Sequence, residues 1–236
     1  MRTMIYHDAR GDELISEVVT PIKHCMKGII CVEGPDGAGK STLVNNLLQE
    51  FGGTTLKASA KWLDRMDVYH TALFNRALEL SENGLVILDR WWPSEYVYAP
   101  IYRPNAGGCS KWRMYGRWLD MEFTIAGGLY VFVLPDVQVA LSRLKHRGAK
   151  NEFDAADNRW INVYSRYQAL VRGSTRIKER THFGDVCRSG GLVRRENLLV
   201  LPGGASKLIP IVAERFSDLH KREFALSIRQ LRQQFF

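Results

Sequence analysis

The chain has 236 residues, 45% of them hydrophobic and 25% charged, with a formal net charge of +8. That size supports one globular domain with a sheet covered on both faces, and no run of 18 apolar residues is present to span a membrane. The first residues, Met1 to Asp8, lack the apolar core of a signal peptide, so a soluble cytoplasmic protein is expected. Cys25, Cys31, Cys109 and Cys187 are scattered without a Cys-x-x-Cys pair, which argues against a zinc cluster or disulfide framework. The basic balance suits either nucleic acid or a small ligand with several phosphates.

Residues 1–26 have mixed charge and weak periodicity and are read as an N-terminal extension, a leader or a surface helix. The remainder, 27–236, opens on Gly28-Ile-Ile-Cys-Val32, a continuous apolar run that fits a strand buried on both faces. A glycine-rich loop follows at once. Leu43, Val44, Leu47 and Leu48 then repeat at helical spacing until Gly52-Gly53. Thr54-Thr55-Leu56 starts a second strand, and a helix over Val68–Leu80 stops at Asn83-Gly84. Leu85–Leu88 and Leu129–Leu134 are two more buried strands. Helical pattern covers Val139–Leu144 and Arg159–Val171, separated by a polar stretch at 145–158.

Residues 172–196 are loop-like, with seven basic against three acidic residues. Leu198–Leu201 is a last short strand. Leu208, Val212, Phe216 and Leu219, and then Phe224, Ile228, Leu231 and Phe235, form two series that each step by three or four, predicting a terminal amphipathic helix over about 206–235. Strands alternating with helices predict an α/β three-layer sandwich around a doubly wound parallel sheet of about five strands.

The chemistry lies in Gly34-Pro-Asp-Gly-Ala-Gly-Lys-Ser41, which meets the phosphate-loop spacing Gly-x-x-x-x-Gly-Lys-[Ser/Thr]. Glycines let backbone N–H groups close around phosphate oxygens, and the helix that begins here adds the positive end of its dipole. Lys40 reaches the β- and γ-phosphates of ATP, and the Ser41 hydroxyl is a ligand for Mg²⁺. Gly34, Asp36, Gly37, Ala38, Gly39, Lys40, Ser41 and Thr42 are the nucleotide-binding set. At the carboxyl end of the third strand stands Asp89-Arg90, where such sheets bind ligands. Asp89 suits the Mg²⁺ shell or the orientation of a nucleophile. Arg90 suits a bidentate grip on an acceptor phosphate.

The segments Val32-Glu-Gly-Pro-Asp-Gly-Ala-Gly-Lys-Ser-Thr42 and Asp89-Arg-Trp-Trp-Pro-Ser94 together resemble the thymidylate kinases and related nucleoside monophosphate kinases of the P-loop class. The resemblance covers roughly 27–172. It implies that Asp36 approaches the sugar hydroxyl of a bound monophosphate, and that Trp91, Tyr98 and Arg103 lie beside the substrate. It also implies that Phe74 and Arg76 read the base, and that Arg143 leads into a lid at about 145–158 that carries the catalytic Arg147, with Arg166 and Tyr167 on the helix behind. Gly37 brings no positive side chain to the loop, and the resemblance then assigns the catalytic arginine to the lid. The chain departs from the family at Lys57-Ala-Ser59, at Ala99 and at Glu152, and Phe74 stands closer to Asp89 than is usual.

The activity implied is transfer of the ATP γ-phosphate to a deoxynucleoside monophosphate, with a dimer suggested. A deoxynucleoside kinase and a polyphosphate-driven nucleotide kinase are the related alternatives. A nucleic-acid-stimulated ATPase is the reading of another class, disfavoured because this strand ends Asp-Arg rather than in two acids.

Overall fold

The computed structural model describes residues 2–7, 13–21, 26–58, 66–103, 109–146, 158–172, 197–202 and 209–218. Five parallel strands form the centre: β3 (Gly28–Glu33), β4 (Gly53–Ala58), β5 (Leu85–Asp89), β6 (Leu129–Val133) and β7 (Leu198–Leu201). They lie in the order β4-β5-β3-β6-β7, so β3 sits between β5 and β6. This is the doubly wound sheet that the alternating pattern predicts.

Two further strands extend it to seven. β1 (Arg2–His7) and β2 (Glu13–Thr20) pair antiparallel, and β2 runs antiparallel along β4. The stretch read as a leader or surface helix is therefore a sheet edge over these residues. Its available signal is local: two β-rich runs flank Gly11-Asp12, a hairpin pattern.

Alternation along each strand sends successive side chains to opposite faces. Ile29 and Cys31 of β3, with Val86, Leu88, Tyr130 and Phe132, enter one core under α2 (Met66–Ser81), α3 (Trp92–Tyr102), α4 (Cys109–Ile125) and α6 (Asn158–Arg172). Ile30 and Val32, with Ile87, Val131 and Val133, enter the other under α1 (Lys40–Phe51) and the helical residues 209–218. Each fully buried aliphatic side chain contributes about 1.5–3 kcal/mol. β3 and β6, buried along their whole length, therefore hold the frame on which the site is hung.

Helices α3 and α4 fall between Arg90 and Gly127, where the periodicity gives no element. In α3, Trp92, Pro93, Glu95, Tyr96, Val97 and Ala99 are all buried, so no polar stripe marks the helix. α5 (Val137–His146) continues to residue 146 and α6 begins at 158, trimming both ends of the expected lid; residues 147–157 lie outside the described residues. The terminal helix is found at 209–218, and its expected continuation to 235 also lies outside them, as does the basic segment 173–196. Among the described residues no helix is long and apolar enough to cross a membrane.

Candidate phosphotransfer site

β3 ends at Glu33 and the glycine loop turns directly into α1, whose N-cap is Gly39 with φ 98°. Two of the loop glycines are fixed by close neighbours. A Cβ on Gly34, at φ +141°, would strike the Val133 carbonyl of β6. A Cβ on Gly37, at φ +80°, would strike the Ala140 carbonyl of α5 and come within 2.9 Å of Leu144. α5 thus packs straight onto the loop, and the Arg143 guanidinium donates to the Ala38 carbonyl at 3.1 Å.

Lys40 is 8% exposed. Its Nζ donates to the Pro35 carbonyl at 2.7 Å and lies 3.9 Å from the Asp36 carboxylate, spanning the loop as its own ligand. Burial, with the nearby Arg90 charge, brings its pKa down to about 7 against the pull of Asp36, Asp89 and Glu33. Ser41 and Thr42 are exposed at the start of α1, and Ala38 is buried.

The other half of the site comes from the end of β5. Asp89 is level with Val32 in the parallel register, and the Arg90 N–H bonds the Val32 carbonyl at 3.1 Å. Arg90 adopts φ 71°, the left-handed region that non-glycine residues rarely enter, so the surrounding bonds must hold it there. They do. Its Nη2 meets Asp36 at 2.5 Å, and its Nη1 donates to the Ser94 and Tyr167 hydroxyls, each at 3.2 Å. The guanidinium also lies 5.1 Å above the Tyr98 ring. Burial alone would lower its pKa, yet Tyr98, Tyr167, Asp36 and Glu33 hold it above its ordinary value. For Asp36, burial pushes the carboxyl up, but Arg90 and Lys40 outweigh it and the net shift is downward.

Beneath this pair lies Glu33, which the motif reading passes over. It is 0% exposed. One carboxylate oxygen accepts the Trp91 N–H at 2.7 Å; the other accepts Ser94 Oγ at 2.6 Å and Tyr167 Oη at 2.9 Å. Burial pushes its carboxyl above the usual range, opposed by Arg90 and by the three hydrogen bonds. The only sequence signal is an acid closing an otherwise apolar strand immediately before the loop.

The remaining expected site residues divide. Asp36 also accepts a long bond, 3.5 Å, from Tyr98, and its backbone carbonyl accepts from the Trp160 indole at 3.3 Å. Lys40, Asp36, Arg90 and Tyr98 are therefore brought together. Asp89 forms an ion pair with Lys57 at 3.7 Å. Trp91 and Phe74 belong to the core instead: both are almost fully buried and stacked on each other at 5.1 Å, and the Trp91 indole donates to the His70 carbonyl. The reason is local, since the positive φ at Arg90 turns the chain so that Trp91 enters the apolar layer. Arg76 is held by Glu17 at 3.1 Å and Glu79 at 3.0 Å. Arg103 is bonded to Glu95 at 2.6 Å. Arg147 lies outside the described residues.

Among the described residues no group of three or more His, Cys, Asp or Glu side chains could hold a metal by itself. The donors on offer, the Ser41 hydroxyl and the Asp89 carboxylate, are hard oxygens. That set fits Mg²⁺, which takes one or two protein oxygens and completes its shell with phosphates and water.

No protein-family model matches the chain, and no curated protein matches it. Among solved structures it is similar to the YorR protein from Bacillus subtilis, in complex with phosphorylated GDP: TM-score 0.55, 19% identity, 82% of this chain and 98% of that chain covered. A fainter likeness is to deoxyadenosine kinase from M. mycoides with bound dATP, with TM-score 0.46, 14% identity, and 80% and 99% covered. With its strand order and glycine loop, the chain has a three-layer α/β P-loop fold, which it shares with the YorR structure.

Proposed function

We propose that this chain is a phosphotransferase that moves the γ-phosphate of ATP to the 5′-phosphate of a deoxynucleoside monophosphate, in the manner of a thymidylate kinase. The observation that carries this reading is Arg90: a cation fixed by Ser94 and Tyr167, facing a loop carboxylate beside Lys40. A guanidinium so held presents a fork to an incoming phosphate. Asp36 and Tyr98 flank it and would receive the sugar.

The proposed division of labour follows. The backbone of residues 34–42 cradles the triphosphate, and Lys40 gives up the Pro35 carbonyl for the β- and γ-phosphates. Ser41 and Asp89 would hold Mg²⁺, which supplies charge neutralisation on the transferring group. Arg147, in the proposed lid, would add positive charge over the same group. Arg90 binds the acceptor phosphate and aligns its oxygen for in-line attack.

The carboxylates favour a phosphate acceptor over a hydroxyl. A sugar hydroxyl needs a base to take its proton, whereas a phosphate monoester is already ionised near neutrality. Here Glu33 and Asp36 are engaged by Arg90's network and Asp89 by Lys57. Each of these acids thus has a partner in the resting structure, whereas a phosphate acceptor needs no base.

The test is ADP formation from ATP and Mg²⁺ with a panel of deoxynucleoside monophosphates and nucleosides. Because YorR binds a phosphorylated GDP, guanine nucleotides belong in the panel. Acceleration by one or more monophosphates is expected. Acceleration by nucleosides alone would turn the reading to a deoxynucleoside kinase, and no acceleration by any acceptor would end the kinase reading.

A further inference from the structure

We propose that Glu33 is a positioning residue for Arg90, acting through Ser94 and Tyr167, and so governs how the acceptor is bound; this rests on the acceptor role proposed above for Arg90. The argument is one of proton direction. A guanidinium is donor-only, so every partner must offer it a lone pair. A hydroxyl can do so only if its single proton points elsewhere. Ser94 and Tyr167 both send theirs to the same Glu33 oxygen, at 2.6 and 2.9 Å. Their lone pairs are then turned to Arg90 Nη1, which lies 3.2 Å from each. The two hydroxyl oxygens are themselves 2.8 Å apart, so one nitrogen caps both.

The other Glu33 oxygen accepts the Trp91 N–H, the peptide that follows Arg90. One carboxylate therefore fixes the backbone just after Arg90 and both hydroxyls that hold its head. It also joins three pieces of chain, since Ser94 is on α3 and Tyr167 on α6. Burying a carboxylate costs several kcal/mol unless it is well partnered. An apolar side chain would fill position 33 without that cost, but it would leave both hydroxyl protons free to turn toward Arg90.

An amide tests direction without changing shape. The substitution Glu33→Gln replaces one of the two acceptor oxygens by a donor, so either the Trp91 N–H or the Ser94 and Tyr167 hydroxyls lose their acceptor, and the bonds that fix Arg90 no longer all form. Wild type, Glu33→Gln, Tyr167→Phe, Arg90→Ala and the Glu33→Gln/Arg90→Ala double variant would be compared. Acceptor kcat/KM, the Kd for ATP and the thermal midpoint are read for each.

For Glu33→Gln we expect acceptor kcat/KM to fall about tenfold or more, with the Kd for ATP unchanged. In the Arg90→Ala background the same substitution should have almost no effect, because the group it positions is gone. Tyr167→Phe should show a smaller loss in the same direction, and it carries the test if Glu33→Gln lowers the midpoint severely. Equal losses in both backgrounds, a parallel loss of ATP binding, or an unchanged kcat/KM would overturn the inference. A wild-type protein that no acceptor stimulates would instead overturn the function on which it rests.

Discussion

Two arginine–carboxylate pairs tie distant parts of this molecule together, and they are built for different ends. Arg76 of α2 meets Glu17 of β2, which is 1% exposed and sits on a strand paired on both sides. Arg90 meets Asp36, which is 34% exposed on a glycine loop. In the first pair the acid cannot move, so the bond fastens the N-terminal hairpin to the helix layer. In the second the cation is the fixed partner, held by Ser94 and Tyr167, and the acid is on the element that must reshape around phosphate. The same chemistry serves cohesion at the sheet edge and exchange of partners at the site. Which backbone can move decides between them.

Breaking the exchanging pair from its fixed side has the largest expected effect. Arg90→Ala should lower acceptor turnover on the order of 10²–10³-fold, the scale for losing a directed charge in a phosphotransfer site. ATP binding should change little, while the thermal midpoint should fall, because Glu33 and Asp36 lose the cation that offsets their burial. Steady-state kinetics beside equilibrium titration of ATP measures both, and equal losses of the two would move Arg90 out of the acceptor half.

The loop's own mobility is tested next. Gly37→Ala puts a Cβ at φ +80° against the Ala140 carbonyl, so α5 must withdraw or the loop must refold. The Arg143 bond to the Ala38 carbonyl would go with it. ATP affinity should weaken more than about tenfold, a loss of over 1.4 kcal/mol. Unchanged affinity would mean that the α5 contact does not shape the loop.

At the sheet edge, Glu17→Gln should cost stability and, unlike Arg90→Ala, spare activity. Removing the charge that faces Arg76 in a buried setting should cost about 1–3 kcal/mol of stability. Urea unfolding reads that loss, while activity per folded molecule stays at the wild-type level. A change in acceptor preference instead would give Arg76 back to the base-reading role that the family resemblance implies.

The same contrast explains what was legible in the sequence. The loop from Gly34 to Ser41 could be read directly, because a phosphate cradle demands glycines and a lysine at fixed spacing. Asp89 and Arg90 were legible from their place at the end of an apolar run. Glu33 was not, since its meaning depends on Tyr167, 134 residues away on α6. Phe74 and Trp91 were given substrate roles by resemblance, and the structure packs both inward, Trp91 through the turn at Arg90 and Phe74 stacked on it from α2. The hairpin and α3 escaped for opposite reasons: one alternates too weakly to declare a buried face, the other is buried nearly all round and declares no exposed one.

The smallest expected effect separates the two pairs by acid. The Asp36 carboxyl is held below its ordinary value because Arg90 and Lys40 outweigh its burial. A carboxyl shifted downward in the folded state stabilises it fully above its unfolded value, near pH 4, and that contribution fades as pH falls through the folded value. Asp36→Asn removes this contribution. Wild type should therefore be the more stable at pH 7, and thermal unfolding midpoints of the two proteins should converge below about pH 3. The difference is expected to be small, since Asp36 is partly open to solvent and screened there. Curves that stay parallel from pH 7 to acid would show that the Arg90–Asp36 bond contributes nothing to the resting fold, and that the loop acid is already free before substrate arrives.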